Sequence, residues 1–405
     1  MNTSQGGARP PCAERPCPIC AAGEREILFV QRFEALSGIS LLDRYEVVVC
    51  RNCGFVFADR IPPEPAFERY YANASKYEFS HHGGQQHEAE VRRLKALAGW
   101  IAQRVPASAR LFDVGCATGE LLVALRDQGF SDLTGLDLSD VSARYAREHH
   151  GLQVIHGTLG DKPDSVQAYD GVVLSAVLEH VPALNRFLQQ LEAWLKPEGL
   201  IIVEVPDAEN FARSFNAPYQ EFSIEHINFF SAPALDNLMR TRGYSRVALR
   251  QELCYAGPNL TGPVLTLIFR RGASPAAPAR EAISETGVRA YLERCRRWTE
   301  SENRVITELV VKRAPVLIWG VGTLCQRLLA TTRLRDANIR AFIDSNPHYQ
   351  GQRMIGRPVI APQELKGRPE PILVLSWAFV EEISRQIREE LRLDNEIIRI
   401  NHMDA

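Results

Sequence analysis

Apolar residues recur along this chain with two different periods, and together they predict alternating strands and helices. Between residues 110 and 206, the short apolar runs "RLFDV", "LTGLDL", "AYDGVVLS" and "LIIVEVP" predict buried strands. The stretches between them, including "ALNRFLQQLEAWLKPEG", carry apolar residues at helical spacing. Alternation of this kind is typical of an α/β fold with a doubly wound, mainly parallel sheet, which binds ligands beyond the carboxyl ends of its strands.

The flanking regions follow patterns of their own. Before residue 60, "EREILFVQRF" and "DRYEVVVC" predict two strands that a hairpin could join. After the Pro- and Ala-rich stretch "GASPAAPAR", a long charged amphipathic helix is predicted over about residues 286–313, followed by a second strand, Gly turn and helix. We therefore predict four parts: residues 1–75, 76–270, a linker and long helix over 271–313, and a Rossmann-like domain over 314–405.

Composition and charge limit the class of protein. The 405 residues are 45% apolar and 24% charged, as is typical of globular proteins, and this length predicts more than one domain. The formal net charge of -2 supplies no overall field to attract a polyanion, which disfavours a nucleic-acid partner. The first twenty residues lack the apolar core of a signal peptide, and no apolar run is long enough for a membrane span. We expect a cytoplasmic protein without a membrane partner.

Five of the nine cysteines lie before residue 54, and four of them form two C-x2-C pairs. Cys17 and Cys20 are the first pair, Cys50 and Cys53 are the second, and 29 residues lie between Cys20 and Cys50. Two such pairs are typical of a tetrahedral zinc site, and a site closed by four thiolates stabilises structure without performing chemistry. We predict structural Zn²⁺ in an N-terminal zinc-binding domain. The alternative is a set of unligated cysteines or a redox pair.

A glycine-containing loop, "DVGCATGE", lies between a predicted strand and a predicted helix. Its spacing differs from the G-x-G-x-x-G of dinucleotide sites. Asp137 and Leu138 follow the next predicted strand, and Asp137 is 22 residues after Gly115. An acidic residue at that strand end is placed to bind the hydroxyls of a ribose, and the neighbouring Leu138 could pack against adenine. The candidate cofactor-binding residues in the loop itself are Asp113, Gly115, Cys116 and Gly119.

With "VLEHVP" near the end of the fourth strand, these features resemble class I S-adenosylmethionine (AdoMet)-dependent methyltransferases. The resemblance covers nearly all of the second predicted part and implies AdoMet as cofactor, with its amino-acid tail passing Gly115 and Gly119. A Rossmann-like domain without a methyl donor is the alternative. Tyr71, Ser75 and Tyr77 in "YYANASKYEF" are candidates to close over the methionine end of AdoMet, and packing between domains is an equal alternative.

The order of the parts resembles that of zinc-containing sugar C-methyltransferases, which act on nucleotide-linked keto-deoxysugars in natural-product biosynthesis. That family carries Tyr-His-Glu-His after the strand that reads "VEVP" here. In this chain the matching positions are Ser223, Ile224, Glu225 and His226, so only the second half is retained. The resemblance implies His226 as the catalytic base, Glu225 as the carboxylate that orients its imidazole or the substrate, and His180 of "VLEHVP" as a second polar contact to the substrate.

The chemistry explains why such residues would be needed. A carbon next to a ketone becomes nucleophilic when a base removes its proton while a donor stabilises the enolate oxygen. The missing Tyr-His half removes an expected donor, so an O- or N-methyltransferase of another small natural-product metabolite is the alternative. An RNA-modifying enzyme is disfavoured by the charge balance. A scaffold that has lost AdoMet is disfavoured by Gly115, Gly119 and Asp137.

A second glycine loop, "GVGTLC", opens the C-terminal part. It contains Gly320 and Gly322, but Cys325 stands where a dinucleotide site has its third glycine. Asp344 lies at the end of the next predicted strand, 22 residues after Gly322. We expect a Rossmann-like domain without tight dinucleotide binding, and assistance in holding a nucleotide-bearing substrate is an alternative to a purely structural role. The sequence does not determine the oligomeric state.

Overall fold

The structure, a computed structural model, describes residues 12–36, 41–73, 88–161, 168–257 and 260–400. Ser75 and Tyr77 lie outside these residues. The helices are α1 Glu64–Asn73, α2 Glu88–Ala102, α3 Glu120–Asp127, α4 Asp140–His150, α5 Leu184–Glu192, α6 Ala232–Arg240, α7 Ile283–Lys312, α8 Thr323–Thr331 and α9 Val380–Arg385. The strands are β1 Arg25–Arg32, β2 Arg44–Cys50, β3 Val56–Asp59, β4 Leu111–Val114, β5 Leu133–Asp137, β6 Gln153–His156, β7 Tyr169–Ser175, β8 Leu195–Pro206, β9 Asn228–Phe229, β10 Tyr244–Gly257, β11 Leu260–Arg271, β12 Val316–Trp319, β13 Ile339–Ile343, β14 Arg353–Met354, β15 Arg357–Ile360, β16 Ile372–Val374 and β17 Ile397–Arg399.

The two predicted N-terminal strands, β1 and β2, form an antiparallel pair, and β3 extends it. The second cysteine pair lies in the tight turn between β2 and β3, where Gly54 has a φ of +85° that favours glycine. The sheet then gains a strand from a distant part of the sequence. Strand β9 pairs with β3, joining Phe229 to Val56 and Asn228 to Phe57. The segment that follows "VEVP" is therefore part of the N-terminal sheet.

The central sheet has the strand order β10-β11-β8-β7-β4-β5-β6. Strands β4 to β8 are parallel, and β10 and β11 are antiparallel at one edge. Apolar side chains cover both faces of the parallel strands, which is why these strands have continuous apolar sequences. The predicted α/β fold class is confirmed.

One predicted helix is too long. Helix α5 ends at Glu192, and β8 begins at Leu195, which pairs with Tyr169 of β7. The apolar spacing of "ALNRFLQQLEAWLKPEG" continues beyond the real helix end. Pro197 has no backbone N–H for an intrahelical bond, and this favours the strand over continuation of the helix.

The Pro- and Ala-rich linker packs against the central domain. Asn237 of α6 donates from Nδ2 to the Ala279 carbonyl at 2.7 Å and accepts from the Ala279 N–H at 2.9 Å. Helix α7 then begins at Ile283, three residues before the predicted start. The buried carboxylate of Glu302 accepts two hydrogen bonds from Arg327 of α8, at 2.8 and 3.0 Å. This ion pair joins the long helix to the C-terminal domain.

The C-terminal domain contains a second, smaller sheet with the order β14-β15-β13-β12-β16-β17. Its strands are parallel except for the β14–β15 hairpin. Strand β12, the glycine turn and helix α8 follow one another as predicted. Among the described residues, no helix has the length and apolar character needed to cross a bilayer.

Candidate active site

A cavity of about 250 Å³ opens at the carboxyl ends of β4, β5 and β7. The turns after these strands meet there because the strands are parallel. Gly115 and Ala117 line it from the first glycine loop, and Asp137 and Leu138 line it from the end of β5. Residues 157–159, which follow β6, form another part of the wall. The site therefore has the location that the strand pattern predicted.

Two backbone amides hold the Asp137 carboxylate in place. Oδ2 accepts from the Ala117 N–H at 2.8 Å, and Oδ1 accepts from the Ser139 N–H at 2.8 Å. Burial raises the pKa of Asp137, while these two hydrogen bonds act to lower it. A carboxylate has about four acceptor positions, so two remain for hydroxyl groups of a ligand.

The backbone and packing at position 115 require glycine. Its φ is +76°, and a Cβ atom built there would lie 2.9 Å from Cγ2 of Val177. The glycine thus permits both the turn and the close approach of the chain after β7. Its predicted position beside a ligand agrees with its place in the cavity wall.

The other candidates in the loop lie behind the cavity wall. Asp113 is fully buried, and burial, followed by the charges of Asp137 and Glu120, raises its pKa to about 8. The Cys116 side chain packs against β5 at Gly135. These side chains shape the loop from the core side and do not line the cavity.

Gly119 also lies outside the cavity lining. It is the N-cap of α3, with a φ of +88°, and a Cβ atom there would overlap Leu152. Its glycine is explained by the packing between α3 and the chain after α4. Asp113, Cys116 and Gly119, which were predicted to bind the cofactor, therefore lie outside the lining of this cavity.

Two sequence-predicted residues meet at the far side of the cavity. His180 ends a short 3-10 helix, Leu178–His180, after β7, and Tyr71 comes from α1. Both line the cavity, and the Tyr71 hydroxyl lies 3.0 Å from Nδ1 of His180. The same Nδ1 lies 3.1 Å from the backbone carbonyl oxygen of Glu225. Tyr71 contacts a predicted catalytic residue, and its predicted role of closing over the methionine end of AdoMet stays a prediction.

His226 lies directly beside His180. The two rings are edge to face, with centroids 5.0 Å apart. Both side chains are half-buried. The backbone turns sharply at this point because Ser223 Oγ accepts from the N–H groups of Glu225, at 3.3 Å, and of His226, at 3.1 Å. The turn allows neighbouring residues to reach different partners.

The carboxylate partners differ from the sequence expectation. Oε1 of Glu225 accepts from the Tyr70 hydroxyl at 2.9 Å, and burial followed by this negative charge raises the pKa of Tyr70. A different carboxylate, that of the buried Glu179, lies with ring nitrogens of His180 and His226 in one group whose atoms are all within 4.8 Å of one another. Glu225, which was predicted to orient His226 or the substrate, lines the cavity, and Glu179 is a second carboxylate close to the His226 ring.

Glu179 and Tyr70 are the functional candidates that sequence reasoning missed. Each had a signal, since Glu179 precedes His180 in "VLEHVP" and Tyr70 precedes Tyr71 in "YYANASKYEF". Histidine is more often a catalytic base than glutamate, which favoured His180 over Glu179, whereas residue type does not distinguish Tyr70 from Tyr71. Which partner each of two adjacent side chains reaches depends on the exact backbone geometry, and no single-residue pattern determines it.

The four paired cysteines form one compact cluster. The Sγ atoms of Cys17 and Cys53 are 3.6 Å apart, those of Cys20 and Cys50 are 3.4 Å apart, and all four lie within 4.8 Å of one another. A tetrahedral zinc ion with ligands at about 2.3 Å requires sulfur atoms roughly 3.8 Å apart. The donor set therefore fits Zn²⁺, and it leaves no open position for a substrate.

Comparisons with known proteins agree with this geometry. Residues 85–249 match the family described as "Methyltransferase domain", and residues 279–399 match the family described as "C-methyltransferase C-terminal domain". The chain is an AdoMet-dependent methyltransferase. The second match, C-terminal to the first, is to a domain described as belonging to C-methyltransferases.

Two curated relatives show how far the similarity extends. The chain is 22% identical to the C-methyltransferase NovU of Streptomyces niveus over 369 residues, which cover 85% of this chain and 83% of that protein. It is 33% identical to a ubiquinone biosynthesis O-methyltransferase of Xylella fastidiosa over 114 residues, which cover 26% of this chain and 45% of that protein. The long alignment thus extends beyond the methyltransferase domain.

Solved structures resemble about half of the chain. A 1,6-didemethyltoxoflavin-N1-methyltransferase from Burkholderia thailandensis covers 55% of it with a TM-score of 0.38 and 20% identity. Magnesium protoporphyrin IX methyltransferase from Synechocystis covers 52% of it with a TM-score of 0.39 and 13% identity.

Proposed function

We propose that this C-methyltransferase methylates the carbon next to the ketone of a nucleotide-linked keto-deoxysugar, with His226 as the base. The observation that carries the proposal is the position of His180 in the wall of the cavity that Asp137 also lines, with the His226 ring edge to face against it and the Tyr71 hydroxyl at 3.0 Å from its Nδ1. The relationship to NovU over most of the chain supports carbon as the methylated atom.

AdoMet fits the wall formed by Gly115, Asp137 and Leu138, and when bound it supplies an electrophilic methyl group. Asp137 would bind the ribose hydroxyls through its two remaining acceptor positions. Leu138 would pack on the adenine. The proposed Zn²⁺ in the Cys17, Cys20, Cys50 and Cys53 cluster has a structural role only.

His226 is the candidate for the base because the chain retains the Glu-His half of the family motif, and His180, both of whose nitrogens face protein groups, is the second polar contact to the substrate. Nδ1 of His180 is near Tyr71 and the Glu225 carbonyl, and its Nε2 is 4.0 Å from Oε1 of Glu179. The Glu179 carboxylate next to the His226 ring would stabilise the imidazolium that forms when the base takes a proton. His226 would return that proton to solvent after the new carbon–carbon bond forms.

The enolate oxygen also needs a hydrogen-bond donor. The family that this chain resembles has a tyrosine at the position of Ser223, and Tyr71 takes over the role of that donor here. When Nδ1 of His180 carries a proton, it can donate to both the Glu225 carbonyl and the Tyr71 oxygen. The Tyr71 hydrogen is then available to the cavity, which this side chain lines. Such a donor, aimed at the oxygen where charge develops, is the usual means of stabilising an enolate.

Solvent exchange tests the proposal. The protein is incubated in deuterated water with S-adenosylhomocysteine and a panel of keto-deoxysugar nucleotides, and deuterium next to the ketone is measured by mass spectrometry. We expect exchange with at least one compound and a loss of at least about 100-fold in His226→Ala, a typical contribution of general base catalysis. Exchange that survives in His226→Ala but disappears in His180→Ala would reverse the assignment of the base.

An O- or N-methyltransferase acting on another small metabolite is the second candidate. The change to Ser223 and Ile224 and the local similarity to an O-methyltransferase favour it. In that case a panel of hydroxylated and amino metabolites would accept a methyl group from labelled AdoMet without any prior carbon–hydrogen exchange.

A further inference from the structure

A single buried asparagine connects residues 15–20, which include the first cysteine pair and are here called the zinc-bearing segment, to the pair formed by His180 and His226. Asn228 lies in β9, is 2% exposed, and pairs with Phe57 of the N-terminal sheet. Its Nδ2 donates to the backbone carbonyl oxygens of Leu178 and Val181, both at 2.8 Å. These two residues flank the end of the turn that carries His180. One amide group therefore holds that turn at two points.

The orientation of this amide depends on Arg15, two residues before the first zinc-binding cysteine. Nη2 of Arg15 donates to Oδ1 of Asn228 at 2.8 Å, and the Arg15 N–H donates to Oδ1 of Asp59 at 2.8 Å. The guanidinium also lies 5.3 Å from the Phe57 ring centroid. Because a guanidinium only donates, it selects the amide orientation in which oxygen faces Arg15 and Nδ2 faces the His180 turn.

The backbone completes the connection. The Ile227 N–H donates to the Glu179 carbonyl at 2.8 Å, and the Ile227 carbonyl accepts from the Ala58 N–H of β3 at 2.8 Å. The residue next to His226 is thus bonded on one side to the His180 turn and on the other to the N-terminal sheet. Neither histidine can move far without breaking contacts made to that sheet.

We propose that Asn228 and Arg15 are positioning residues through which the zinc-bearing segment sets the relative placement of His180 and His226. The catalytic consequence rests on the proposed function, whereas the structural consequence does not. Zinc binding fixes the segment that starts at Arg15, so it acts on the histidines from outside the cavity. A site that transfers a proton must hold its groups to within a fraction of an ångström.

Asn228→Asp is the informative change. The carboxylate keeps the shape and the partner Arg15 but replaces two donors by acceptors that face two carbonyl oxygens. Asn185→Asp is a matched control. Nδ2 of Asn185 donates to the Pro18 carbonyl at 3.0 Å, so this change also removes a hydrogen bond that a side-chain amide makes between the zinc-bearing segment and the methyltransferase domain. It does so without touching the His180 turn.

The imidazole signals of the ten histidines are followed by NMR in the full-length zinc-loaded protein, with His180→Ala and His226→Ala used for assignment. We expect Asn228→Asp to shift both signals and to lower kcat about 100-fold, the size of effect that a misplacement of 1 Å can cause. AdoMet affinity and zinc content should stay at the wild-type values. In Asn185→Asp both histidine signals should be unchanged.

Arg15→Met provides a second variant in case Asn228→Asp does not fold. It keeps apolar contact with Phe57 and all donors of Asn228 but removes the group that fixes the amide orientation. We expect a smaller shift of the same two signals. The proposal is overturned if both signals keep their wild-type positions in folded Asn228→Asp or in Arg15→Met, or if Asn185→Asp shifts them equally. The NMR result needs no methyl acceptor, so a failure of the keto-sugar proposal would leave it standing.

Discussion

The two glycine loops of this protein are built alike, yet only the first borders the cavity of the candidate active site. In both, an aspartate at the end of the next strand closes the loop through two backbone amides. Asp137 accepts from Ala117 and Ser139, each at 2.8 Å. Asp344 accepts from Val321 and Asn346, each at 2.9 Å.

The difference lies in what faces each loop. Beyond the first loop, the chain segments after β5 and β7 diverge, and the space between them forms the cavity. All residues that line this cavity precede His226 in the sequence. At the second loop, a Cβ atom on Gly320 would lie 3.1 Å from the carbonyl oxygen of Leu375. The Gln326 side chain also donates to the Val321 carbonyl at 3.0 Å. Glycine and aspartate thus define the turn, and the neighbouring segments decide whether a ligand has room.

Replacing the aspartate of each loop by alanine is expected to show the largest difference between the two loops, measured as AdoMet affinity. Asp137→Ala should weaken AdoMet binding by about 100-fold or more, since each hydrogen bond to a charged group contributes roughly 1.5–3 kcal/mol. Asp344→Ala should leave AdoMet affinity unchanged, because its loop lies outside the cavity. Isothermal titration of both variants with AdoMet measures this. Equal losses in the two variants would show that the C-terminal loop contributes to cofactor binding.

The first loop has a buried acid, Asp113, at the position that Ile318 occupies in the second loop. Burial raises the pKa of Asp113 from 3.8 to about 8, so the folded state holds the proton more tightly than the unfolded state does. The stabilisation that the protonated Asp113 gives to the folded state is fully present below about pH 4 and is lost as the pH rises towards 8. Between about pH 6 and pH 8 the free energy of unfolding should fall by roughly 2 kcal/mol, at about 1.36 kcal/mol per unit.

Urea unfolding at several pH values measures this effect, and Asp113→Asn should reduce the fall in that range. The control is Asp170→Asn on the protein surface, where hydrogen bonding to Lys196 lowers the pKa of Asp170. An unchanged pH dependence in Asp113→Asn would assign the effect to other groups.

The smallest difference is expected for two glycines. Gly115→Ala should cost about 1–2 kcal/mol, because alanine is strained at φ +76° and its Cβ meets Val177. Gly322→Ala should change stability by less than about 0.5 kcal/mol, because Gly322 has φ −71° and a Cβ there meets no atom within 4 Å. Thermal unfolding of both variants tests this. A larger loss in Gly322→Ala would contradict the comparison.

Sequence patterns predicted the fold better than the partners within the site. Continuous apolar runs predicted the parallel strands correctly because a strand buried on both faces needs them. The predicted end of α5 was wrong, since apolar spacing continues past Glu192 to Leu195, next to the proline that favours a strand. The roles expected for Glu225 and Tyr71 depended on which residue a turn directs towards which neighbour. The structure pairs Glu225 with Tyr70, and Glu179 with the histidines.

The sequence by itself determined the α/β class and the methyltransferase activity, because each is carried by a local pattern with one physical solution. It also predicted which four cysteines form the cluster in the structure. Tertiary structure alone decided that β9 joins the N-terminal sheet, and that Asn228 thereby ties Arg15, next to the first cysteine pair, to the turn that carries His180. These contacts join residues about 50 to 213 positions apart. Such pairs are selected by the packing of whole sheets, which no local spacing encodes.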